Sequence, residues 1–586
     1  MLDPYRMILI NVIVSIFLLI FILFYRFVYP KKKVNLFFLL IIILILPLTS
    51  LLRKGDYESG DFNIHIHRIM SFYDSLLEGN FMPSWAAELN ATYGIPVYIF
   101  NYPLPYYFVS LFHFVGFSFI GGMKIFLGLS LFLSGIFMYL WTKKLLNNKL
   151  AAFTSSIFYV FNPYHLIDVH FRATLGESLI FTLVPLVFYT VTKYIKERKK
   201  IFLIINCLFA GLLFLAHPLV AIVFIGIIFL YILFTNGINK YTFLIISSLI
   251  FGIISAIYSW LPFILYSQFT YQEPIHTYEY YFPPFQQLFY SKWKYGLLFQ
   301  GPKGELALFL GYGQTLVIVG IILVLFKKKI PQKIRHYSLF WIFLVFLILF
   351  FMHPVSRNIW NMFPSFWMIF TTGRIHLPMA LATSIVAGYL VVILSSLKIK
   401  IFYIYMFIAF TIASTILNWG HRKVIPEIDD NSLRKNAWLS IQITPPFMNS
   451  KWAPTPTFWF PKKPNNPMEI IQGKGTIKPL KRTTTKHLYI VYANTPITIK
   501  ENTLFFPGWS LKSNYKEIPI FPDKQGVINA KLPQGLQYAD LTYEDLPAYK
   551  LSKTISAGFF LGLVALLFIY ALRTLIKNIK SPFKLF

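Results

Sequence analysis

An aspartate, a histidine and an arginine stand four and then three residues apart in "GDFNIHIHR", residues 60–68, directly after a long apolar run. Positions i, i+4 and i+7 share one helical face, so a helix here aligns Asp61, His65 and Arg68. That trio suits proton transfer beside an anion: a carboxylate as base, an imidazole to orient it, a guanidinium to hold negative charge. A carboxylate next to a membrane is costly unless it is paired or functional.

The stretch continues through His67, Asp74, Glu78, Trp85 and Glu88 into "YGIPVYIFNYPLPYY". A second stretch, "DVHFRATLGES", supplies Asp168, His170, Arg172 and Glu177, and "FTTGRIHLP" supplies Arg374. Short connections that each hold isolated charge point to one site around Asp61, Glu177 and Arg374. His67, Asp74 and Glu78 read as solvated or helix-capping residues. His217 in "AHPL" and His353 in "MHPVSRN" precede prolines at span ends and read as interfacial histidines. Glu273 and His276 in "YQEPIHTYEYY" are further candidates.

The elements that position these residues follow from composition. The 586 residues are 56% hydrophobic and 19% aromatic but only 13% charged, with mean hydropathy +0.60. A soluble domain carries roughly a quarter charged residues, so this composition belongs to a membrane protein. The single cysteine, Cys207, excludes an intrachain disulfide. The net charge of +31 sits largely in short clusters between apolar runs, where topology explains it better than nucleic acid does.

Thirteen apolar runs approach the length needed to cross about 30 Å of hydrocarbon. They are 8–29, 34–52, 122–141, 149–165, 177–195, 201–216, 219–235, 241–262, 306–326, 337–353, 375–396, 400–418 and 553–573. The first runs into "KKK" with no small-residue cleavage site and reads as an anchor. The prolines and short length of 103–120 make it a juxtamembrane or re-entrant element. The basic clusters at 31–33, 143–149, 196–200, 327–335, 398–400 and 577–584 then fall on the cytoplasmic side of a plasma membrane. The N-terminus, the loop 53–102 and the segment 420–552 are expected outside, and the C-terminus inside. Segment 420–552 alternates in short runs broken by Pro and Gly and reads as a small β-rich domain. "GKG" at 473–475 lacks the context of a phosphate loop.

The first outer stretch resembles that of GT-C superfamily membrane glycosyltransferases. It is particularly similar to bacterial YfhO-like proteins and to membrane proteins described as 6-pyruvoyl-tetrahydropterin-synthase-related. The matching positions are Asp61, His65, Arg68, Gly79, Trp85, Gly94, Pro96, Tyr102 and Pro103. "RATLGESLIFTLVPL" resembles an Arg-Gly-x-x-x-Glu element, with Ala173 in place of the glycine. "FPSFWMIFTTGRIHLP" resembles a later element, with Thr372-Gly373 where Pro-Trp is usual, and "FFPGWSLKSNYKE" resembles the outer β segment. The resemblance implies a GT-C-like fold of about thirteen helices and a β-rich domain at 420–552 before a final helix at 553–586. It also implies inverting transfer of a sugar from a polyprenyl-phosphate donor to an envelope glycan or lipid acceptor on the outer face.

In that chemistry Asp61 and Glu177 are the catalytic carboxylates, with Asp61 as base and Glu177 orienting an arginine or the acceptor. Arg68, Arg172 and Arg374 meet phosphate, His65 orients Asp61, and Trp85, Tyr102 and Tyr106 cover sugar or prenyl chain. A divalent cation, if one binds, would take Asp61 and His65, and two ligands do not make a metal site on their own. Two other classes stand beside this one. A transporter or flippase of lipid-linked sugar would place ionisable groups mid-membrane, whereas these runs are nearly free of charge at their centres. A catalytically inactive scaffold would present 420–552 to envelope partners, and the departures at Ala173 and Thr372-Gly373 are its motivation.

Overall fold

The computed structural model describes residues 4–32, 34–271, 282, 284–291, 295–301, 303–327, 329–363, 373–420, 423–435 and 448–579. Glu273, His276 and Thr372 lie outside the described residues.

Eight described helices are long and apolar enough to cross a membrane. The pair Lys240–Ser255 and Ile257–Phe269, bent by 64°, would make a ninth. The expectation of thirteen spans is therefore too high as a count of full-length helices. Its remaining runs are Leu36–Leu52, Ile201–Ala216 and Tyr312–Leu325, which are shorter apolar helices, and the 12-residue Lys149–Val160. The chain itself supplies the breaks. Asn162 caps a new turn that begins at Pro163, and Pro218 forces His217 into extended backbone between two helices. Residues 103–120 form the 11-residue helix Leu104–Phe114, too short to cross, before a new helix starts at Phe119.

The basic clusters at 143–149 and 196–200 meet at one end of the bundle. Lys144 and Lys193 share Glu197, Lys196 donates to the Lys144 and Leu145 carbonyls, and Arg198 reaches Asn236. The acidic and histidine-bearing connections meet at the other. There the short strands β1 (Asp56–Tyr57) and β2 (Val424–Ile425) pair antiparallel, tying the first connection to the chain beyond the bundle. Asp430 accepts from the Phe119 and Ile120 amides, satisfying the exposed start of helix Phe119–Leu146.

Beyond that strap lies a sandwich of two antiparallel sheets. Its strands are β3 (Met468–Gln472), β4 (Gly475–Arg482), β5 (Lys486–Ala493), β6 (Ile497–Leu504), β7 (Trp509–Ser513), β8 (Lys516–Ile518), β9 (Ile520–Pro522), β10 (Val527–Leu532) and β11 (Gly535–Tyr543). One sheet has the order β3-β6-β10-β9 and the other β4-β5-β11-β7-β8. Alternation buries Tyr489, Val491 and Ala493 of β5 while Leu488, Ile490 and Tyr492 face outward. The sandwich thus occupies 468–543 rather than all of 420–552. The last helix begins at Pro547, six residues earlier than the apolar run suggests.

The sandwich is bonded to the first connection along its length. The Leu504 amide donates to the Tyr93 carbonyl at 2.7 Å, the Phe460 amide to Asn90 Oδ1 at 3.1 Å, and the Thr484 amide to Glu78 at 2.9 Å.

Candidate functional site

Asp61 is the residue before helix Phe62–Leu77, and its side chain does not cap that helix. Its amide donates to the Arg172 carbonyl at 2.7 Å and its carbonyl accepts from the His65 amide at 3.0 Å. The aspartate backbone is therefore clamped between two of the three charged stretches. The carboxylate itself is partly exposed and makes no hydrogen bond or ion pair among the described residues. Burial pushes its pKa up, Glu177 adds to that, and Arg172, Arg374 and Arg68 oppose it. A carboxylate with open lone pairs and raised basicity, within electrostatic reach of three guanidinium groups, is suited to accept a proton.

The expected helical face is present. His65 and Arg68 follow Asp61 on the same helix, both buried. His65 Nδ1 lies 3.0 Å from the Tyr106 hydroxyl and Nε2 lies 3.3 Å from the Tyr102 hydroxyl. Tyr106 oxygen accepts from Asn101 Nδ2 at 2.6 Å, with the Arg68 guanidinium in electrostatic reach. The Tyr106 proton is then left for His65 Nδ1, and His65 Nε2–H for the Tyr102 oxygen. Burial, with Arg68 and His217 nearby, pushes His65 down to about 3, so the ring is neutral and fits that order. The Tyr102 hydroxyl proton remains able to bond a further group.

Glu177 anchors the opposite wall. Its Oε1 accepts from Arg374 Nε at 2.9 Å and from the second terminal nitrogen of Arg172 at 3.1 Å. Its Oε2 accepts from the first terminal nitrogen of Arg172 at 2.9 Å and from the Tyr164 hydroxyl at 2.7 Å. Arg172 also bonds Asp168 Oδ1 at 2.8 Å. Four donors occupy the Glu177 carboxylate, so this geometry suits holding arginines rather than taking a proton. Arg374 is the more exposed of the two guanidiniums, with side-chain exposure of 19% against 9% for Arg172.

Local backbone explains the second stretch. Asp168–Arg172 forms a π-helical turn that ends at Ala173 in the left-handed region, φ +56°. Glycine adopts that conformation freely, and alanine keeps the same path at a modest cost. Gly176 is held by a close approach instead. A Cβ there would lie 2.7 Å from the Tyr102 ring and 2.8 Å from the Ala216 carbonyl.

Sequence reasoning set His217 aside, yet the structure brings it into the site. Its buried ring packs on Tyr102 with centroids 4.9 Å apart, and burial, with Arg374 and Arg172 nearby, pushes it down to about 3, against Glu177, so the ring is neutral. The available signal was the His-Pro pair, because Pro218 turns the preceding residue out of both helices. Trp85 moves the other way. It is buried among Phe506, Trp509 and Tyr543 of the sandwich, away from Asp61, so its place is the joint between the first connection and the β-rich domain. Asp74 pairs with Arg434, and Glu78 caps Thr484.

Asp61 and His65 do not suit a divalent cation. Both ring nitrogens of His65 face tyrosine hydroxyls, and among the described residues no three His, Cys, Asp or Glu side chains converge.

Comparison with known proteins adds context. An uncharacterized protein of Lactococcus lactis subsp. cremoris (strain MG1363) is 28% identical over 209 residues, which is 35% of this chain and 34% of that one. The match thus spans about a third of either protein. Among solved structures, a mutant form of the mycobacterial arabinofuranosyltransferase AftD is similar over 68% of this chain and 29% of its own, with 12% identity and TM-score 0.47. The Archaeoglobus fulgidus oligosaccharyltransferase is similar over 73% and 61%, with 10% identity and TM-score 0.43. ArnT from Cupriavidus metallidurans, bound to undecaprenyl phosphate, is similar over 61% and 77%, with 8% identity and TM-score 0.29. A family model described as "6-pyruvoyl-tetrahydropterin synthase related domain; membrane protein" matches residues 100–420, more than half of the sequence. The chain belongs to that family of membrane proteins.

Proposed function

We propose that this protein is an integral membrane glycosyltransferase that moves a sugar from a polyprenyl-phosphate donor to an envelope glycan or lipid. The observation that carries the reading is the Asp61 carboxylate, without a partner among the described residues and in electrostatic reach of Arg172 and Arg374, which are both held by Glu177. The acceptor hydroxyl loses its proton to Asp61 as its oxygen attacks the anomeric carbon from the face opposite the leaving group. The bond from that carbon to the phosphate oxygen breaks, and polyprenyl phosphate departs with the bonding electrons. Arg374, oriented through its Nε–H, meets the phosphate, and Arg172 keeps Glu177 in register for it. Tyr102 donates its hydroxyl proton to sugar or phosphate, and His65 and Tyr106 fix its orientation. Arg68 serves the same wall through Tyr106.

The basic clusters at the far end support a cytoplasmic reading of that end, with the site and the β-rich domain outside. The test uses protein in nanodiscs, radiolabelled polyprenyl-phosphate hexoses and pentoses, and an envelope lipid extract. Wild type should produce labelled acceptor and Asp61→Asn should not, with both proteins equally folded. Equal transfer by both proteins would remove the base assignment. Donor binding without transfer in either would favour a transporter or a scaffold.

A further inference from the structure

We propose that the solvent face of the five-stranded sheet is a docking surface for an anionic glycan, and this rests on the reading of an envelope acceptor. Ile490, Tyr492, Leu536 and Tyr538 form its centre. Register sets Tyr492 opposite Leu536 and Ile490 opposite Tyr538 on adjacent strands β5 and β11. The intervening residues Val491, Gln537 and Ala539 are buried, so these four share the outward face. Tyr492, Tyr538 and Leu536 are 53%, 56% and 40% exposed, an apolar and aromatic surface left open among the described residues.

Lysines flank this centre. Lys478 on β4 stands opposite Ile490, and Lys512 on β7 stands between Asp540 of β11, which Lys486 pairs, and Glu517 of β8. Neither forms an ion pair among the described residues. From 468 to 543 the sandwich carries ten Lys and Arg against five Asp and Glu. Flat tyrosine faces beside unpaired cations fit sugar rings that carry phosphate or carboxylate.

Geometry decides between a glycan and the membrane itself. β11 runs from Gly535 to Tyr543 and leads into the last helix at Pro547. At about 3.3 Å per residue, Tyr538 and Leu536 stand roughly 17 and 23 Å up the strand from its membrane-proximal end. The patch is therefore set back along the strand from the last helix, and we assign it to a glycan rather than to lipid on that separation. Its role is to hold the acceptor chain while its end reaches Asp61.

The test uses the full chain in nanodiscs with labelled dextran sulfate, neutral dextran, poly-glutamate and phosphatidylglycerol vesicles. Dextran sulfate should bind tightest. Tyr492→Ala with Tyr538→Ala, and separately Lys478→Glu with Lys512→Glu, should each weaken it about tenfold. Poly-glutamate should respond to the lysine pair alone. Unchanged dextran sulfate binding in both variants overturns the proposal, as does neutral dextran binding equally well or vesicles competing for the same face. All four side chains are exposed on the sheet, so transfer to a soluble acceptor too short to reach it should persist in the variants. Loss of that transfer in wild type would count against the glycosyltransferase reading and leave the binding result standing by itself.

Discussion

Replacing Glu177 with glutamine tests whether one carboxylate holds both arginines. Glu177 is buried and its two oxygens take four donors, three of them from guanidinium groups. The amide keeps an acceptor on one side and turns an N–H₂ towards donors on the other, so about two bonds are lost, and the buried Arg172 and half-buried Arg374 lose their shared counter-charge. A hydrogen bond to a charged group contributes roughly 1.5–3 kcal/mol, and breaking a buried ion pair costs roughly 3–5 kcal/mol. Asp168 still faces Arg172 and offsets part of that. The expected loss is about 4 kcal/mol, read as an earlier unfolding midpoint in SDS titration of the reconstituted protein. Arg374→Met alone should cost less, because Arg374 is the more exposed partner. The double variant should fall short of additivity by about 1–3 kcal/mol, since both changes remove one contact. A Glu177→Gln midpoint within error of wild type, or a strictly additive cycle, would refute the anchoring role.

Three further outcomes follow from local geometry. Gly94 sits at φ +75° with a would-be Cβ 2.4 Å from Trp85 Nε1, so Gly94→Ala should cost about 2–3 kcal/mol and loosen the sandwich from the first connection. Limited proteolysis releasing the sandwich no faster than from wild type would contradict this. Ala173→Gly should change stability by under about 1 kcal/mol, as relief of left-handed strain offsets added chain entropy, whereas Ala173→Val should cost about 2 kcal/mol. Equal midpoints for the two would show that the left-handed turn is not required. In the sandwich, burial pushes Glu501 up, but His487, its hydrogen bond and Arg482 outweigh it and hold the carboxyl below its ordinary 4.5. A depressed carboxyl stabilises the fold above its unfolded value and loses that contribution as pH falls through the folded one. Stability should therefore drop below about pH 4.5 in wild type and drop less in Glu501→Gln, and parallel pH curves would contradict the pairing.

Much of the site was legible because a helix turns spacing into position. Asp61, His65 and Arg68 lie four and seven apart and share a face, and Arg172 and Glu177 lie on either side of one turn. His217 was not legible as a site residue, since a histidine before proline looks alike whether it faces lipid headgroups or a cluster of charges. Trp85 was misplaced for a related reason: a tryptophan near a membrane suits an interfacial belt, a sugar platform or a domain joint equally, and only the partners Trp509 and Tyr543 separate these. The span count exceeded the long helices because short apolar runs were counted as spans, and 149–165, interrupted at Asn162-Pro163, still looks continuous by hydropathy. The β-rich domain was recognised from alternation. Its limits were not, because the strap holding β2 and Asp430 is as polar as a sheet edge and takes its structure from β1 and Phe119.

The central claim is that Asp61 is the base, and the pH dependence of kcat/KM for sugar transfer tests it most directly. Burial raises the Asp61 carboxyl, so the rate should rise with pH through an acid limb centred above the ordinary carboxylate value near 4. Asp61→Asn should lose the limb together with at least about a hundredfold in rate. A limb centred at or below 4, or a limb that survives in Asp61→Asn, would contradict the account.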